Sequence, residues 1–415
     1  MKIILHNPQS IWYKLTLGNL ISGKSYWRGK YEYFFDHLYL NQELIHVYLD
    51  TGKKNNLLQK FKLYVKFLIW VKINKLKINK FRIIYKINNL TKNDILLTFI
   101  HLNFSSVKEK NEMKFINFSN SLKASSAYKI VNLSHYGYNA SISSENLKNA
   151  EIDLFISENN LYKNSKFFKY YFNWYNKEVY TLPFIPQKRF VKNKDFDKRK
   201  NIALAIGSIT LPIEDSSFKS FFYHSELQPM RHELYKKRNQ NKKYYDSYIS
   251  PILKKNITTL TSFQKIISYV KSFKIVVSYI ISLEKIQSKL DIDRSYFKFD
   301  MVDKFNDYRM FICPEEIIDL PAIGFVEGMA CGSAFIGIKN SMYEDLGMID
   351  KVNYIAYDGS FDDLIKKINY YQNHPIELGE IAENGRKFIE INLNSEKVIN
   401  DLFNLFKNKL NQKLT

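Results

Sequence analysis

The sequence contains little cysteine, glycine or proline. Only Cys313 and Cys331 occur among 415 residues, together with 14 glycines and 9 prolines. Two cysteines cannot build a disulfide framework or a four-cysteine metal site, which favours a reducing, cytoplasmic location. The small number of glycines and prolines leaves few unstructured linkers. No combination of His, Cys, Asp and Glu has metal-ligand spacing, so we predict no metal site.

Long hydrophobic runs are also missing. The start of the chain, MKIILHNPQ, has too short an apolar run for a signal peptide. No segment reaches the roughly 20 apolar residues that a membrane helix needs. The segment 263–285 has helical length and a single polar stripe that includes Lys271, Lys274 and Ser278. It predicts either an interfacial helix on acidic lipid or a core helix with one wet edge.

Acidic residues are outnumbered. The chain has 62 Lys and Arg against 41 Asp and Glu, a formal net charge of +21. This charge favours an anionic membrane surface or phosphorylated substrates as partners, although a solvated surface with codon bias explains it as well. Zinc-finger spacing, an aromatic RNA-binding signature and a basic arm are all missing, so we do not expect nucleic acid. We predict a cytoplasmic protein with peripheral contact to the inner face of the plasma membrane.

What the chain does have is a regular alternation of apolar, β-branched runs with helix-length segments, which predicts parallel sheets with helices on both faces. The polar connector 192–201 divides two such series. We expect an N-terminal Rossmann-like domain over 1–190, a C-terminal one over 199–390 and a last helix over 391–415. Two α/β domains in tandem create a cleft where ligands bind. The predicted strands are 1–6, 43–50, 81–87, 94–102, 127–135, 153–158, 202–209, 309–314, 334–338 and 353–358.

One short motif suggests a nucleoside triphosphate. GNLISGKS, residues 18–25, fits the P-loop pattern G-x-x-x-x-G-K-[ST], and the apolar run 43–50 ends in Asp50 as a Walker B strand would. A true P-loop directly follows a strand and opens a helix. Here the first strand ends about a dozen residues too early. We interpret the motif as a cleft loop whose Gly23 and Lys24 approach a phosphate of the donor or the acceptor.

The most informative segment is CPEEIIDLPAIGFVEGMACGSAFIGI, residues 313–338. It predicts the end of a strand, a loop with Pro321 and Gly324, a short helix and another strand. In an open parallel sheet this loop lies at the carboxyl edge, where ligands bind. The N-terminus of the helix favours a phosphate, and Glu327 in its first turn can accept hydrogen bonds from vicinal hydroxyls such as those of a ribose.

Within this segment, GFVEGMACGSAFIG resembles the E-A-M-A-C-G-x-P-V-I signature of retaining glycosyltransferases of the GT-B fold, the glycogen-synthase and sucrose-synthase-like group. That group carries two glutamates separated by seven residues, and here Asp319 and Glu327 have this spacing. The segment 353–389 also resembles the closing part of these proteins. The resemblance implies a GT-B architecture of two Rossmann-like domains whose parallel sheets face a central cleft.

The resemblance also implies site residues. Glu327 would bind the nucleotide ribose, and Asp319, with one methylene fewer than the usual glutamate, would lie near the transferred sugar. Gly324, Phe325 and Val326 would offer backbone groups to the donor. The family binds its donor without an essential metal, so no cofactor is implied.

The remaining candidates come from the surrounding sequence. Glu315 and Glu316 are alternatives for the first acid. A departing diphosphate needs cationic stabilisation, and the usual basic pattern after the first strand of the second domain is missing. Arg231, just after Pro229 in QPMRHELYKKR, is the nearest candidate, although a surface helix explains it as well.

His135 is our candidate in the first domain, because NLSHYGYN ends a predicted strand at the cleft. His101 and His6 end strands in a similar way, and a structural role explains each of the three.

These observations predict a retaining, hexosyltransferase-like enzyme that moves a sugar from a nucleotide-sugar donor to a glycan or lipid-linked acceptor, in bacterial surface polysaccharide synthesis. Three alternatives remain open at this point. They are a P-loop kinase or NTPase, a non-catalytic glycan- or membrane-binding protein of the same architecture, and a sugar-nucleotide epimerase.

Overall fold

The computed structural model describes residues 2–11, 13–21, 29–51, 56–99, 120–134, 136–210, 212–251, 262–282 and 299–414. The predicted site residues Gly23, Lys24, His101 and His135 lie outside these residues. Within them the chain forms two parallel sheets, one of seven strands and one of five. The strands are β1 (Lys2–His6), β2 (Ile45–Tyr48), β3 (Phe81–Ile84), β4 (Asp94–Thr98), β5 (Tyr128–Asn132), β6 (Leu154–Ser157), β7 (Tyr180–Thr181), β8 (Lys200–Ile209), β9 (Tyr245–Pro251), β10 (Tyr308–Ile312), β11 (Ala334–Ile338) and β12 (Ile355–Tyr357).

The seven-stranded sheet has the order β3-β2-β1-β4-β5-β6-β7. Ile4 of β1 aligns with His46 on one side and with Leu96 on the other. The strand order therefore reverses between β1 and β4, and their carboxyl ends form a crevice there. Strands β4, β5 and β6 are buried along their whole length, as expected where helices cover both faces of a parallel sheet.

The five-stranded sheet has the order β12-β11-β10-β8-β9. Ala205 of β8 aligns with Ile312 of β10 on one side and with Ser247 of β9 on the other. This is one of the two common strand orders of doubly wound sheets. The strand order reverses between β8 and β10, and this is the switch point. The segments that follow these two strands, including 313–323, therefore border a ligand crevice.

Helices follow most of the strands and cover the two sheets. The helix Pro229–Lys237 begins with proline at its first position, and Phe361–Gln372 begins with a Ser360 side-chain cap, both common helix starts. The α-helices are Leu17–Ile21, Glu32–Asn41, Leu57–Ile73, Ala140–Asn149, Leu161–Asn164, Lys166–Tyr171, Ser216–Phe222, Pro229–Lys237, Ser262–Ser282, Met301–Asp307, Gly324–Ala330, Ser341–Glu344, Phe361–Gln372, Pro375–Asn392 and Ser395–Leu414.

All ten predicted strands are present, each within a few residues of its predicted bounds. Two further strands escaped prediction. β7 has only two residues, and β9 is neither a continuous apolar run nor a clean alternation, since its sequence YDSYISP mixes Asp, Ser and Pro with its apolar residues. Every residue of β9 pairs with the stretch Ala203–Ile209 of β8, and this pairing holds β9 in the sheet in spite of its composition.

The two halves of the chain contact each other directly beside the crevice. The Tyr136 hydroxyl donates a hydrogen bond of 2.8 Å to the carbonyl of Ile318, and the hydroxyls of Ser141 and Ser217 are 2.7 Å apart. A Cβ added at Gly137 would lie 2.9 Å from Ile318 Cδ1, so glycine permits this approach. These contacts fix how the carboxyl edges of the two sheets face one another.

The last helix, Ser395–Leu414, returns to the N-terminal half. It contacts the helix Glu32–Asn41, with the rings of His37 and Phe403 5.2 Å apart. Leu402 and Phe406 are fully buried in the same apolar core as Phe34 and Phe35. This helix therefore belongs to the core of the N-terminal half.

Candidate functional site

A cavity of about 220 Å³ lies where the carboxyl edges of the two sheets meet. Lys30, Glu158 and Phe184 line it from the N-terminal half. The C-terminal half lines it with the end of β8, with residues that follow β8 and β10, and with the start of the helix Gly324–Ala330. From that half the lining residues are Gly207, Ser208, Thr210, Gln228, Arg231, Cys313, Glu316, Leu320, Pro321, Ala322, Ile323 and Gly324.

Arg231 bridges the two sides of the switch point in the five-stranded sheet. Its Nε and Nη2 donate to the carbonyl of Pro314 at 2.8 and 2.5 Å, and its Nη1 donates to the carbonyl of Ser208 at 2.9 Å. A guanidinium has five N–H groups. Two of them therefore have no partner among the described residues, on a side chain that lines the cavity. Arg231 both holds the cavity wall together and offers positive charge to a ligand.

Gly207 makes room for this arginine. Its φ of 148° lies in the region that glycine adopts without strain. A Cβ at this position would come within 3.1 Å of Arg231 Nε. In IALAIGSI, Gly207 is followed by Ser208, where the resemblance leads one to expect an arginine. The positive charge on this side of the cavity comes instead from Arg231 on a neighbouring helix.

The helix Gly324–Ala330 rests directly on strand β10 through two glycines. A Cβ at Gly324 would lie 2.5 Å from Cys313 Sγ, and a Cβ at Gly328 would lie 2.4 Å from Phe311 Cζ. Because residues four apart share one helix face, both glycines are needed for the close approach. The contact brings the start of the helix to the cavity wall.

At the C-terminus of this helix, backbone N–H groups and an arginine donate hydrogen bonds to the carbonyl groups. Gly332 has a φ of 73° and its N–H donates to Met329, while Ser333 N–H donates to Gly328, the pattern of a Schellman cap. The buried Arg199 guanidinium donates to the carbonyls of Cys331 and Gly332 at 2.9 and 3.0 Å. These bonds fix the orientation of the helix toward the cavity.

Glu327 lies in this helix with only 1% of its surface exposed. Burial, and then the nearby Glu327 charge, raise the pKa of the Cys331 thiol to about 12. Phe325 and Val326 are also fully buried. Of the four residues that the sequence assigned to this helix, Gly324 lines the cavity, whereas Phe325, Val326 and Glu327 lie behind the wall.

Asp319 lies at the contact between the two halves of the chain and is not a lining residue of the cavity. Its backbone adopts a left-handed φ of 61°. Its carboxylate accepts from Asn340 Nδ2 at 3.1 Å and from the Ser165 hydroxyl, and its carbonyl accepts from Asn159. Burial raises the pKa of Asp319, and the hydrogen bonds from Ser165 and Asn340 offset part of that rise.

The two alternative acids occupy different positions. Glu315 accepts hydrogen bonds from the Tyr343 hydroxyl at 2.6 Å and from the N–H of Ile338 at 3.2 Å, and burial raises its pKa. Glu316 lines the cavity and accepts a bond of 3.3 Å from Gln228 Nε2. Glu316, not Asp319, is therefore the carboxylate of this loop that borders the cavity.

Glu158 is a cavity residue that sequence reasoning missed. It directly follows β6, and its carboxylate is 2% exposed. It accepts hydrogen bonds from the hydroxyls of Tyr31 at 2.6 Å, Ser157 at 3.2 Å and Ser134. Burial, and then the adjacent carboxylate, hold the pKa of Tyr31 well above its usual range, so this hydroxyl stays a donor. The sequence did contain a signal for it: Glu158 is the last residue of the predicted strand DLFISE, and the carboxyl edge of a parallel sheet is where ligands bind.

Lys30 supplies the second positive charge at the cavity. Its ammonium lies 5.0 Å from the centre of the Phe184 ring, which also lines the cavity. Such a cation–π contact is attractive because the face of an aromatic ring carries negative charge. The N-terminal half thus presents a carboxylate and an ammonium opposite Arg231.

The described part of the P-loop-like motif does not have P-loop geometry. Gly18 lies inside the helix Leu17–Ile21, twelve positions after His6, the last residue of β1. A P-loop instead starts at the end of a strand and wraps around the phosphates before its helix begins. Asp50 follows β2. Its Oδ2 lies 3.8 Å from His6 Nε2, and its Oδ1 accepts a hydrogen bond of 3.4 Å from the Tyr48 hydroxyl.

No three His, Cys, Asp or Glu side chains in the described ranges are grouped so that they could hold a metal ion. No helix in the part of the chain that the structure describes is long and apolar enough to cross a membrane.

Comparison with known proteins gives similarity in structure only. No protein-family model matches the sequence, and no curated protein matches it significantly. Among solved structures, Anabaena Alr3699/HepE in complex with UDP aligns with a TM-score of 0.51 and 13% identity over 98% of this chain and 100% of that one. The same protein in complex with UDP-glucose gives the same values.

A sucrose-phosphate synthase from Thermosynechococcus elongatus aligns with a TM-score of 0.50 and 10% identity over 99% of this chain and 100% of that one. Each of these alignments runs through both sheets. The chain has the GT-B fold, two Rossmann-like domains whose parallel sheets face a central cleft, and the predicted fold class is confirmed.

Proposed function

We propose that the protein is a glycosyltransferase that moves a sugar from a nucleotide-sugar donor to a glycan or lipid-linked acceptor. The observation that carries the proposal is the cavity between the sheets, where the guanidinium of Arg231 lies beside the start of the helix Gly324–Ala330. Positive charge and a helix N-terminus together suit a diphosphate. The similar fold of a protein that binds UDP and UDP-glucose supports this choice of ligand.

The donor would bind mainly to the C-terminal domain, which we assign to 199–390. The two remaining N–H groups of Arg231 stabilise the negative charge that develops on the departing diphosphate. Glu327 would receive the two ribose hydroxyls. Because Glu327 is almost fully buried, its carboxylate must become accessible when the donor binds.

The acceptor would bind on the side of the N-terminal domain, which we assign to 1–190. Transfer with retention breaks the bond between the anomeric carbon and the diphosphate oxygen and forms a bond from the acceptor oxygen on the same face. The acceptor proton passes to the departing phosphate oxygen, so the reaction needs no protein nucleophile and no metal. In this proposal Asp319 and His135 position the sugar, and Lys24 contacts a phosphate.

We further propose a role in bacterial surface polysaccharide synthesis with peripheral attachment to the inner face of the plasma membrane. The net charge of +21 supports attraction to an anionic surface. A hexose is the expected sugar, from the resemblance of the 313–338 segment to the glycogen-synthase-like group.

A thermal-shift experiment tests the proposal. The purified protein is heated with UDP, GDP, ADP, CMP or ATP with magnesium, and its unfolding temperature is compared with that of the free protein. A diphosphate at about 100 times its Kd stabilises the folded state by about 2.7 kcal/mol. We expect one nucleoside diphosphate to stabilise the protein without magnesium, and Glu327→Ala to abolish this response.

The competing kinase hypothesis predicts a different result. Stabilisation only by ATP with magnesium, lost in Lys24→Ala, would contradict the transferase. Arg231→Ala could abolish the diphosphate response while Glu327→Ala leaves it intact. That result would support the diphosphate site at Arg231 and would reject the assignment of the ribose to Glu327.

A further inference from the structure

Two helices from different halves of the chain pack against each other and form a small apolar cluster. They are Leu57–Ile73, between β2 and β3, and Ser262–Ser282, between β9 and β10. The buried members of the cluster include Ile73 and Val276, with Leu15 and Leu20 from the segment around the helix Leu17–Ile21. Each of the two helices therefore already has an apolar inner face with a partner.

The outer faces of both helices are apolar as well. A helix with one packed face normally presents polar residues to water on the other. Here five large apolar side chains are between 60% and 84% exposed. They are Leu57, Leu58, Phe61, Phe273 and Ile281. Large exposed apolar patches of this kind mark sites of contact with a partner or a membrane.

The sequence of and around the two helices is rich in positive charge. The stretch 51–93 contains twelve Lys and Arg residues and no Asp or Glu. The stretch 247–283 contains five lysines and no acidic residue, and Glu284 follows it directly. Lys62, Lys66, Lys271 and Lys274 are exposed on the two helices. Such an excess of positive charge complements an anionic surface.

We propose that this surface docks on a bilayer of anionic phospholipid. We define the lipid-docking face as the exposed side chains Leu57, Leu58, Phe61, Lys62, Lys66, Phe273, Lys271, Lys274 and Ile281. Apolar side chains enter the interface between headgroups and acyl chains, and the lysines contact lipid phosphates. Among the helices that the structure describes, none can cross a membrane, so the face lies on the bilayer surface.

The topology places part of this face beside the cleft. β2 ends at Tyr48 and the helix Leu57–Ile73 follows it, after which β3 begins at Phe81 parallel to β2. The helix must therefore run back along the sheet, with its first turn at the carboxyl edge. Glu158 and the cavity lie at that same edge. A docked bilayer would thus lie at the sheet edge that also borders the cavity, on the side from which a lipid-linked acceptor would arrive.

Vesicle cosedimentation of the full-length protein tests the proposal directly. One set of vesicles is pure phosphatidylcholine, and the other is an equimolar mixture with phosphatidylglycerol. We expect binding to the anionic vesicles only, weakened by added salt, because the electrostatic contribution is screened. Lys62→Gln with Lys66→Gln should weaken this binding by about thirtyfold, given roughly 1 kcal/mol for each lysine at an anionic surface.

The apolar contribution has its own matched comparison. Leu57→Ser with Phe61→Ser should lower binding to anionic vesicles by about tenfold or more. Ile376→Ser with Ile391→Ser changes two equally exposed side chains on the helix Pro375–Asn392 and should leave binding unchanged. Because all four side chains are exposed, these variants should retain the unfolding temperature of the parent protein.

Four results would overturn the proposal. They are equal binding to both kinds of vesicle, no binding to either kind, insensitivity to the lysine changes, and an equal effect of the Ile376 and Ile391 changes. Self-association that the Leu57 and Phe61 changes abolish, with vesicle binding unaffected, would assign the face to a second copy of the chain and would also reject it. None of these measurements depends on nucleotide, so failure here is distinguishable from failure of the proposed transferase.

Discussion

The hydroxyl of Tyr31 donates a 2.6 Å hydrogen bond to the carboxylate of Glu158, which lies 127 positions later in the chain. Asn132 Nδ2 in turn donates to the Tyr31 oxygen at 3.2 Å. A buried carboxylate is tolerated only when hydrogen bonds replace its water, so the Tyr31, Ser134 and Ser157 hydroxyls are what keep Glu158 at the cavity wall.

This network predicts a non-additive pair of substitutions. Glu158→Gln puts an amide among hydroxyl donors and should lower the free energy of unfolding by about 1–3 kcal/mol. Tyr31→Phe should lower it less, and the double variant should lose less than the sum because the two groups share one bond. Urea unfolding measures all three, with the exposed Glu145→Gln as control. Additive losses would contradict the network.

A second prediction concerns the glycines of the helix Gly324–Ala330. Gly328→Ala would force a Cβ against the Phe311 ring, 2.4 Å away in the present arrangement, and should destabilise the protein by about 1–3 kcal/mol. Gly379→Ala is a matched control, because it lies in the helix Pro375–Asn392 where the nearest side-chain atom would be 3.5 Å away. It should stabilise the protein by up to about 1 kcal/mol. Similar effects of the two changes in thermal unfolding would reject the packing argument.

A third prediction separates the two roles of Arg231. Arg231→Lys keeps the charge but cannot reach the carbonyls of both Ser208 and Pro314 in the same geometry. It should lower stability by about 1.5–3 kcal/mol, and it should weaken nucleoside diphosphate binding because the cavity wall is displaced. Calorimetric titration with the diphosphate and urea unfolding measure the two effects. Gly207→Ala, which presses on the same guanidinium, should show both effects in the same direction. If Arg231→Lys lowers stability but leaves the affinity for the diphosphate unchanged, Arg231 has only a structural role in the cavity wall.

A fourth prediction follows from the raised pKa of Asp319. Because the folded state holds this proton more tightly than the unfolded chain, where the pKa is about 3.9, the group contributes stability that is present below about pH 4. That contribution is lost as the pH rises through the folded-state pKa. Asp319→Asn can still accept from Asn340 and tolerates the left-handed backbone, so it should remove this pH dependence.

Unfolding curves of the two proteins at several pH values should converge at low pH and separate as the pH rises. Parallel curves would contradict the shift, and Asp362→Asn controls for the loss of one exposed charge.

The fold was largely predictable, because strands buried on both faces appear in the sequence as long apolar runs. The strand-helix-strand order predicted for the segment 313–338 is also correct. Gly324 and Gly328 allow its helix to pack closely on the preceding strand. The site was less predictable. Glu158 follows a strand whose partner hydroxyl on Tyr31 is distant in sequence, and no local pattern connects the two. The bonds of Arg231 to Ser208 and Pro314 join three separate segments, and they exist only once β8 and β10 are neighbours.

Asp319 illustrates a different limit. Its spacing to Glu327 matches a signature, but spacing along a chain does not determine which way a side chain points from a left-handed residue. The structure directs it to Ser165 and Asn340, whereas Glu316 borders the cavity. The roles assigned to Asp319, Glu327 and His135 remain predictions.

The return of the helix Ser395–Leu414 to the first half of the chain has a consequence for synthesis on the ribosome. Leu402 and Phe406 complete a core that also contains Phe34 and Phe35, so the surface they cover stays open until this helix has left the exit tunnel. The core of the N-terminal domain is therefore completed only after the second domain has been synthesised. A nascent chain that stops short of this helix would expose apolar surface and become a substrate for chaperones, whatever the state of its second domain.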